Sequence, residues 1–148
     1  MSVNNQCDNS RPYIIRQARA DDIEILDKIH AENMQNYVEK VYLWNPKLFR
    51  ACFIRQDYQV IEKKRQILGF IKIVTSKTDI YLAEIQIDRQ YQKQGIGTNL
   101  IQSIIKQAQL QDKELWLKIV KGNPAENLYA RLGFTVFAES STHKKMRK

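Results

Sequence analysis

The spacing of apolar residues changes along the chain, and each spacing predicts a different element. Near the start, apolar side chains recur every three to four residues over 23–30, directly after Asp21-Asp22. This pattern predicts a helix with an aspartate as its N-cap. The polar stretch 31–44 is ambiguous and is interpreted as a linker, after which Pro46 favours the start of a second helix over 46–53.

Farther along, β-branched residues cluster in short runs, which are typical of strands. We predict strands at residues 12–17, 58–62, 66–75, 80–87, 115–120, 134–138 and 142–146. An apolar stripe from Ile96 to Ala108 predicts the longest helix, and residues 124–132 predict a short one closed by Gly133. Antiparallel strands followed by alternating strands and helices predict an α/β fold. Its central sheet is expected to be mixed and mostly antiparallel, with helices on both faces.

The length and composition are those of an ordinary globular domain. The chain has 148 residues, of which 43% are hydrophobic and 27% are charged, and a chain of this size can bury a core of its own. We expect a single domain at 11–148 behind a disordered tail at 1–10. Cys7 and Cys52 form no metal-binding or redox pattern, so no metal site is predicted.

The charge balance is basic and is compatible with several polyanionic partners. Lys and Arg number 24 against 16 Asp and Glu, which gives a net charge of +8, so nucleic acid, a membrane surface and a phosphorylated cofactor all qualify. Half of this excess is attributed to a solvated tail, since four basic residues stand among the last five. Aromatic residues do not alternate with Lys or Arg on any one element, which disfavours nucleic acid. The sequence has no signal-peptide pattern and no membrane-spanning apolar run, which indicates a cytoplasmic protein.

A loop with two glycines lies between a predicted strand and the longest predicted helix. It consists of residues 92–98, Gln-Lys-Gln-Gly-Ile-Gly-Thr. Gly95 and Gly97 let the backbone turn tightly and approach a ligand, while the helix N-terminus directs unpaired N–H groups toward it. Such a loop, with Lys93 beside it, favours a diphosphate. A Walker loop is excluded because no glycine precedes Lys-Ser or Lys-Thr. A dinucleotide fingerprint is excluded because Leu100 stands where its third glycine belongs.

Two blocks of the sequence resemble the GNAT superfamily of N-acetyltransferases. The first, Gln92-x-x-Gly95-x-Gly97, is similar to the family's acetyl-coenzyme A (acetyl-CoA) loop. The second, Asn123-Pro-Ala-Glu-Asn-Leu-Tyr-Ala-Arg-Leu-Gly-Phe134, resembles the later family helix Asn-Pro-Ala-x-x-Leu-Tyr-x-x-Leu-Gly-Phe. The resemblance extends over 13–146 and is strong over 80–134. It implies the GNAT fold and the transfer of an acetyl group from acetyl-CoA to a primary amine, by direct attack within a ternary complex.

The resemblance also implies which residues form the site. The expected cofactor-binding residues are Ile85, Gln86, Ile87, Gln92, Lys93, Gln94, Gly95, Ile96, Gly97, Thr98, Asn123 and Tyr129. Tyr129 occupies the family's tyrosine position and is expected to hydrogen-bond or protonate the departing thiolate. Strand alternation places Glu84 on one face with Leu82 and Gln86, where it is the candidate base or amine-orienting carboxylate. A salt bridge at the sheet rim is the alternative for Glu84, and a helix N-cap is the alternative for Asn123.

The acceptor side of the site is less clearly marked in the sequence. Tyr37, Tyr42 and Trp44 lie in the linker that commonly forms the acceptor wall in the family, although they could equally close the core. His30 and His143 are interpreted as packing or surface residues. The acceptor is a small-molecule or peptide amine. A longer acyl donor, a non-catalytic acetyl-CoA-binding regulatory module and a homodimer remain open alternatives.

Overall fold

The computed structural model describes residues 12–148, so the predicted tail at 1–10 lies outside the described residues. The strands are β1 (Ile14–Gln17), β2 (Tyr58–Lys63), β3 (Gln66–Thr75), β4 (Asp79–Ile87), β5 (Glu114–Val120), β6 (Thr135–Glu139) and β7 (His143–Arg147). The helices are α1 (Ile23–Val38), α2 (Leu48–Ala51), α3 (Ile96–Leu110) and α4 (Ala125–Arg131). The predicted order of elements is confirmed over this range. None of these helices has the length and apolar character needed to cross a membrane.

Within residues 12–148, the seven strands form one sheet in the order β1-β2-β3-β4-β5-β7-β6. Neighbouring strands are antiparallel except β4 and β5, which run parallel. The β4–β5 pairing ends at Leu82↔Leu117, although β4 continues to Ile87 and β5 continues to Val120. The two strands therefore part, and a gap opens in the middle of the sheet.

Helices pack on both faces of the sheet, which confirms the predicted α/β architecture. The larger core, on the α3 face, includes Leu82, Leu100, Ile101, Ile104, Leu117 and Met146. The smaller core, on the α1 face, includes Leu26, Ile29, Phe49, Val60 and Phe70. Helix α1 contacts β3 and β4, so it lies beside the gap.

A β-bulge in β4 decides which of its residues face α1. Consecutive residues of β3 pair with Glu84 and then with Leu82, so Ala83 has no residue opposite it. Leu82 therefore packs into the α3-face core together with Ile85, while Glu84 points toward α1. The prediction that Leu82 shares a face with Glu84 is wrong, because strict alternation fails at a bulge.

The first helix begins and ends differently from the prediction. It continues to Val38, so Tyr37 belongs to its last turn rather than to a linker. Asp22 does not cap α1; its carboxylate accepts the backbone N–H of Arg19 at 2.7 Å and the Arg16 guanidinium at 2.8 Å. Burial opposes ionisation of Asp22, but these hydrogen bonds outweigh it and hold its pKa below the ordinary value. The predicted aspartate cap is wrong because a half-buried arginine takes the carboxylate.

Candidate active site

A cavity of about 800 Å³ lies where β4 and β5 part. One part of its lining belongs to the α3 face of the sheet and includes Ile85, Ile87, Gly97, Ile101, Leu117, Leu128 and Tyr129. Another part belongs to the α1 face and includes His30, Asn33, Met34, Tyr37, Glu84, Gln86, Lys118 and His143. The cavity therefore connects the two faces through the gap.

The N-terminus of α3 borders this cavity. Gly95 precedes the helix with φ +82°, in the left-handed region that favours glycine. Among the described residues, a Cβ added at Gly95 would meet nothing within 4 Å, and one added at Gly97 would meet Ile87 Cγ1 at 3.9 Å. The backbone is thus open to a ligand. The first N–H groups of a helix have no intrahelical acceptor, and together with the helix dipole they attract an anion.

The rest of the glycine loop divides between the cavity and solvent. Gln92 lines the cavity and donates from Nε2 to the Ile87 carbonyl at 2.9 Å and to Asn33 Oδ1 at 3.3 Å. These bonds fasten the loop to β4 and α1. Lys93 is exposed with φ +61°, and Gln94 donates to the carbonyl of Gln90 at 3.4 Å. Ile96 and Thr98 belong to the first turn of α3 and do not line the cavity.

Tyr129 of α4 closes the cavity on the α3 face. Its side chain is only 6% exposed, and its ring packs edge-on against Phe134 with the ring centres 5.7 Å apart. Burial raises the pKa of the Tyr129 hydroxyl to about 12. The hydroxyl therefore stays protonated at physiological pH and is a hydrogen-bond donor at the cavity wall.

Asn123 borders the same cavity and also stabilises the start of α4. Its Oδ1 accepts the backbone N–H of Ala125 at 3.0 Å, while the residue contributes to the lining beside Pro124. The helix-start role that the sequence offered as an alternative is therefore present. It leaves the amide nitrogen of Asn123 as a donor beside the cavity.

On the α1 face, the structure pairs a histidine with a carboxylate that the sequence did not connect. His30 Nδ1 of α1 is hydrogen-bonded to Glu84 Oε1 of β4, and the two side chains are 21% and 15% exposed. The His30 ring lies against Trp44 and Phe49, with ring centres 5.7 and 4.8 Å away. His30 therefore packs against aromatic rings, within the predicted packing or surface role, and in addition has a hydrogen-bond partner that was not predicted. The only signal for His30 in the sequence was its position one residue beyond the apolar stripe of the first helix. That signal did not identify Glu84 as the partner.

Hydrogen bonds hold Glu84 in place between β4 and α1. Gln86, which is buried, donates from Nε2 to Glu84 Oε1 at 3.3 Å. Asn33 Nδ2 donates to Gln86 Oε1 at 3.1 Å and to the Ile87 carbonyl at 2.8 Å. Because buried polar networks with satisfied partners are rigid, the carboxylate has a fixed orientation toward the cavity.

The three aromatic residues predicted for the acceptor wall occupy different positions. Tyr37 lines the cavity. Tyr42 reaches across to the start of β7, where its hydroxyl lies 3.0 Å from Thr142 Oγ1. Trp44 stacks on His30 instead of facing the cavity. Of the three, only Tyr37 therefore lines the cavity, and it belongs to α1 rather than to the segment that follows.

His143, at the start of β7, is a second cavity residue that the sequence assigned to packing or surface. Its Nδ1 lies 2.8 Å from Thr142 Oγ1, and its ring tilts against that of Tyr42. Burial, and then the charge of Lys118, lowers the pKa of His143, so the imidazole is mostly neutral at pH 7. Within residues 12–148, no group of three or more His, Cys, Asp or Glu residues is arranged to hold a metal ion.

Comparisons with known proteins agree with this geometry. Residues 25–147 match the acetyltransferase (GNAT) domain family. The chain is 28% identical over 140 residues to an N-alpha-acetyltransferase of Sulfurisphaera tokodaii, covering 84% of this chain and 81% of that protein. It is 26% identical over 121 residues to a putative ribosomal protein bS18 alanine N-acetyltransferase of Bacillus subtilis, covering 80% and 78%. The structure of PaiA N-acetyltransferase from Thermoplasma acidophilum in complex with coenzyme A aligns with a TM-score of 0.75 at 16% identity, covering 93% of this chain and 99% of that chain. The chain therefore belongs to the GNAT family of N-acetyltransferases.

Proposed function

We propose that this enzyme transfers the acetyl group of acetyl-CoA to a primary amine by direct attack, with both substrates bound at once. The proposal depends on one observation, the cavity that is lined from both faces of the sheet where β4 and β5 part. A thioester on the α3 face and an amine on the α1 face would meet in this gap. Such alignment of two reactants can lower the barrier by about 7–11 kcal/mol.

The residues of the α3 face fit acetyl-CoA, which supplies an acetyl group activated as a thioester. The diphosphate would bind the first N–H groups of α3, beside the open backbone of Gly95 and Gly97 and near Lys93. The pantetheine arm would follow the edge of β4 over 85–87, where β5 has already turned away. Asn123 and Tyr129 border the end of the cavity that would hold the thioester.

Glu84 is the proposed base on the α1 face. At pH 7, removing a proton costs about 4–5 kcal/mol for a lysine side chain but only about 1–2 kcal/mol for an α-amino group. In this proposal the carboxylate of Glu84 accepts the proton from the ammonium group, and His30 is the positioning residue that orients the carboxylate. The amine nitrogen then forms the C–N bond and releases its second proton to solvent as the C–S bond breaks.

Tyr129 is the proposed hydrogen-bond donor to the departing thiolate. Its pKa of about 12 stands above the value of about 8.5 for an ordinary thiol, so full proton transfer from the phenol is uphill by about 5 kcal/mol. The hydroxyl therefore stabilises the thiolate by donating a hydrogen bond, and the thiolate takes its proton from solvent. A phenol with the ordinary pKa of about 10 would give its proton to the thiolate more readily than Tyr129 does.

We propose the α-amino group of a peptide or protein as the acceptor. Two relatives support this choice by name, the N-alpha-acetyltransferase and the putative ribosomal protein bS18 alanine N-acetyltransferase. The α-amino group also suits a carboxylate base, because its lower pKa makes deprotonation less costly. Tyr37 and His143 line the α1 part of the cavity and would flank the first residue of such a peptide.

A thiol-release assay with matched acceptors tests the proposal. The panel contains peptides with a free N-terminus, the same peptides with a blocked N-terminus and an internal lysine, and the polyamine spermidine. We expect thiol release, and a mass gain of one acetyl group, with the free N-termini. Preference for blocked peptides or spermidine would refute the α-amino acceptor. Binding of acetyl-CoA without thiol release from any amine would instead indicate a regulatory module, and faster turnover with a longer acyl-CoA would indicate a different donor.

A further inference from the structure

Two lysines lie side by side on the sheet face that carries the proposed acceptor site. Lys118 of β5 and Lys145 of β7 are directly opposite each other in the antiparallel ladder. Their sequence neighbours Leu117 and Met146 are buried in the α3-face core, so alternation puts both lysines on the α1 face. Like charges in directly opposite positions destabilise a sheet. The pairing therefore needs an explanation other than stability.

Other basic residues of this region have acidic partners, but these two lysines have none within the described part of the chain. Lys121 pairs with Glu139 at 3.1 Å, and Lys144 pairs with Glu126 at 2.8 Å. Among residues 12–148, no Asp or Glu lies within ion-pair distance of Lys118 or Lys145. The ammonium group of Lys145 lies over the Trp116 ring, 5.6 Å from its centre. This part of the surface therefore has two positive charges available for an anion.

The lysine pair adjoins the cavity that contains Glu84. Lys118 of β5 and His143 of β7 line the cavity. Lys145 lies two residues after His143 on β7, opposite Lys118. Among the described residues, the groups that face His143 are Lys118, the hydroxyl of Thr142 and the ring of Tyr42, so no carboxylate of this part of the chain offsets the lysine charge there. A carboxylate that arrived at Lys118 would supply the missing negative charge beside His143.

We propose that Lys118 and Lys145 bind a carboxylate of the acceptor, so that the enzyme prefers peptides with Asp or Glu at the second or third position. This rests on the proposed acetylation of a peptide α-amino group. Paired neighbouring strands lie about 4.8 Å apart, so β7 lies at least about 10 Å from Glu84, across the gap between β4 and β5. An extended peptide advances about 3.3 Å per residue, so an amine at Glu84 brings its second and third side chains to the lysines.

The neighbouring aromatic residues make this surface a poorer site for nucleic acid. Tyr81 and Trp116 are stacked on each other with ring centres 4.0 Å apart, so these faces already have a partner. Trp116 also donates from Nε1 to the carboxylate of Asp79 at 2.6 Å. Asp79 and Glu84 therefore lie on this side of the sheet with the two lysines, and their negative charges disfavour a long chain of phosphates.

Paired peptides test the proposal by turnover. The first peptide begins Ala-Glu-Glu and the second begins Ala-Gln-Gln, and the measured quantity is the ratio of their kcat/KM values. We expect the wild-type enzyme to favour the acidic peptide about tenfold, mainly through KM, as two partly exposed ion pairs would give. In the double variant Lys118→Gln, Lys145→Gln the ratio should fall to about two or less. Lys106→Gln, which removes one charge from the exposed side of α3, should keep the wild-type ratio.

A binding measurement separates this inference from the proposed acetyl transfer. NMR titration of His143 with saturating acidic peptide should raise the pKa of His143, and the Gln peptide should not. Selective binding without turnover of either peptide would support the lysine site and refute the proposed transfer to α-amino groups. Equal turnover of both peptides would refute the lysine site alone, and absence of both turnover and binding would refute both. An RNA oligonucleotide that displaces the acidic peptide and binds more tightly at physiological salt would also overturn the proposal, by assigning the surface to nucleic acid.

Discussion

The substitution Tyr129→Phe tests the mechanism most directly, because it removes one hydroxyl and keeps the ring. In the proposed reaction this hydroxyl donates a hydrogen bond to the departing thiolate at the wall of the cavity. Hydrogen bonds to charged groups contribute about 1.5–3 kcal/mol. Loss of about 2.7 kcal/mol of transition-state stabilisation corresponds to a hundredfold fall in kcat. We therefore expect kcat to decrease by about ten- to a hundredfold while the affinity for acetyl-CoA changes little.

The buried position of Tyr129 also predicts what the substitution should leave unchanged. The ring packs against Phe134 in the core, and phenylalanine fills the same space, so the melting temperature should stay close to that of the wild type. Because burial raises the pKa of Tyr129 to about 12, the hydroxyl does not ionise between pH 6 and 10. The shape of the rate profile over that pH range should therefore be the same in the variant, although the rate is lower.

Steady-state turnover by thiol release, acetyl-CoA affinity by calorimetry and melting by circular dichroism measure the three quantities. Tyr13→Phe is the matched control, since Tyr13 is a buried tyrosine in the same core outside the cavity lining. It should leave kcat unchanged. If Tyr129→Phe keeps kcat within a few-fold of the wild type, the hydroxyl has no role in thiolate departure and Tyr129 contributes packing alone.

Three further substitutions test the base, the cofactor loop and a structural ion pair. Glu84→Gln should lower kcat by about 10²–10³-fold and remove the acidic limb of the rate profile without weakening acetyl-CoA binding; an unchanged profile excludes Glu84 as the base. Gly97→Val should abolish calorimetric binding of acetyl-CoA at an unchanged melting temperature, because its side chain enters the cavity beside Ile87; retained affinity contradicts this. Asp22→Asn should lower the free energy of unfolding by about 3 kcal/mol, because it leaves Arg16 short of a partner. The folded-state pKa of Asp22 is depressed, so the stabilisation by its carboxylate is present above pH 3.8 and is lost as the pH falls through the folded-state value. A difference in the free energy of unfolding between wild type and variant that persists at lower pH refutes this account.

The fold and the glycine loop before α3 could be predicted from the sequence because their signals are local. Periodicity identified the helices and strands, and the glycine loop at 92–98 predicted a phosphate-binding turn before α3. Gly95 adopts the left-handed conformation that such a turn requires, with φ +82°. The block at 123–134 predicted the short helix α4, with Asn123 at its start and Tyr129 within it. Both kinds of signal depend on residues close together in the chain, which is why they can be read without the structure.

The acceptor side depended on contacts between distant parts of the chain, which no local pattern encodes. The bulge at Ala83 separates Glu84 from Leu82 and turns the carboxylate toward α1, contrary to strict alternation. Only tertiary packing then brings His30 to Glu84, and only the sheet order places Lys118 opposite Lys145. The gap between β4 and β5 likewise arises because the two strands stop pairing before either strand ends. The sequence by itself determined the elements and the glycine loop, because these follow from local chemistry, whereas the tertiary structure decided which charges surround the proposed acceptor site.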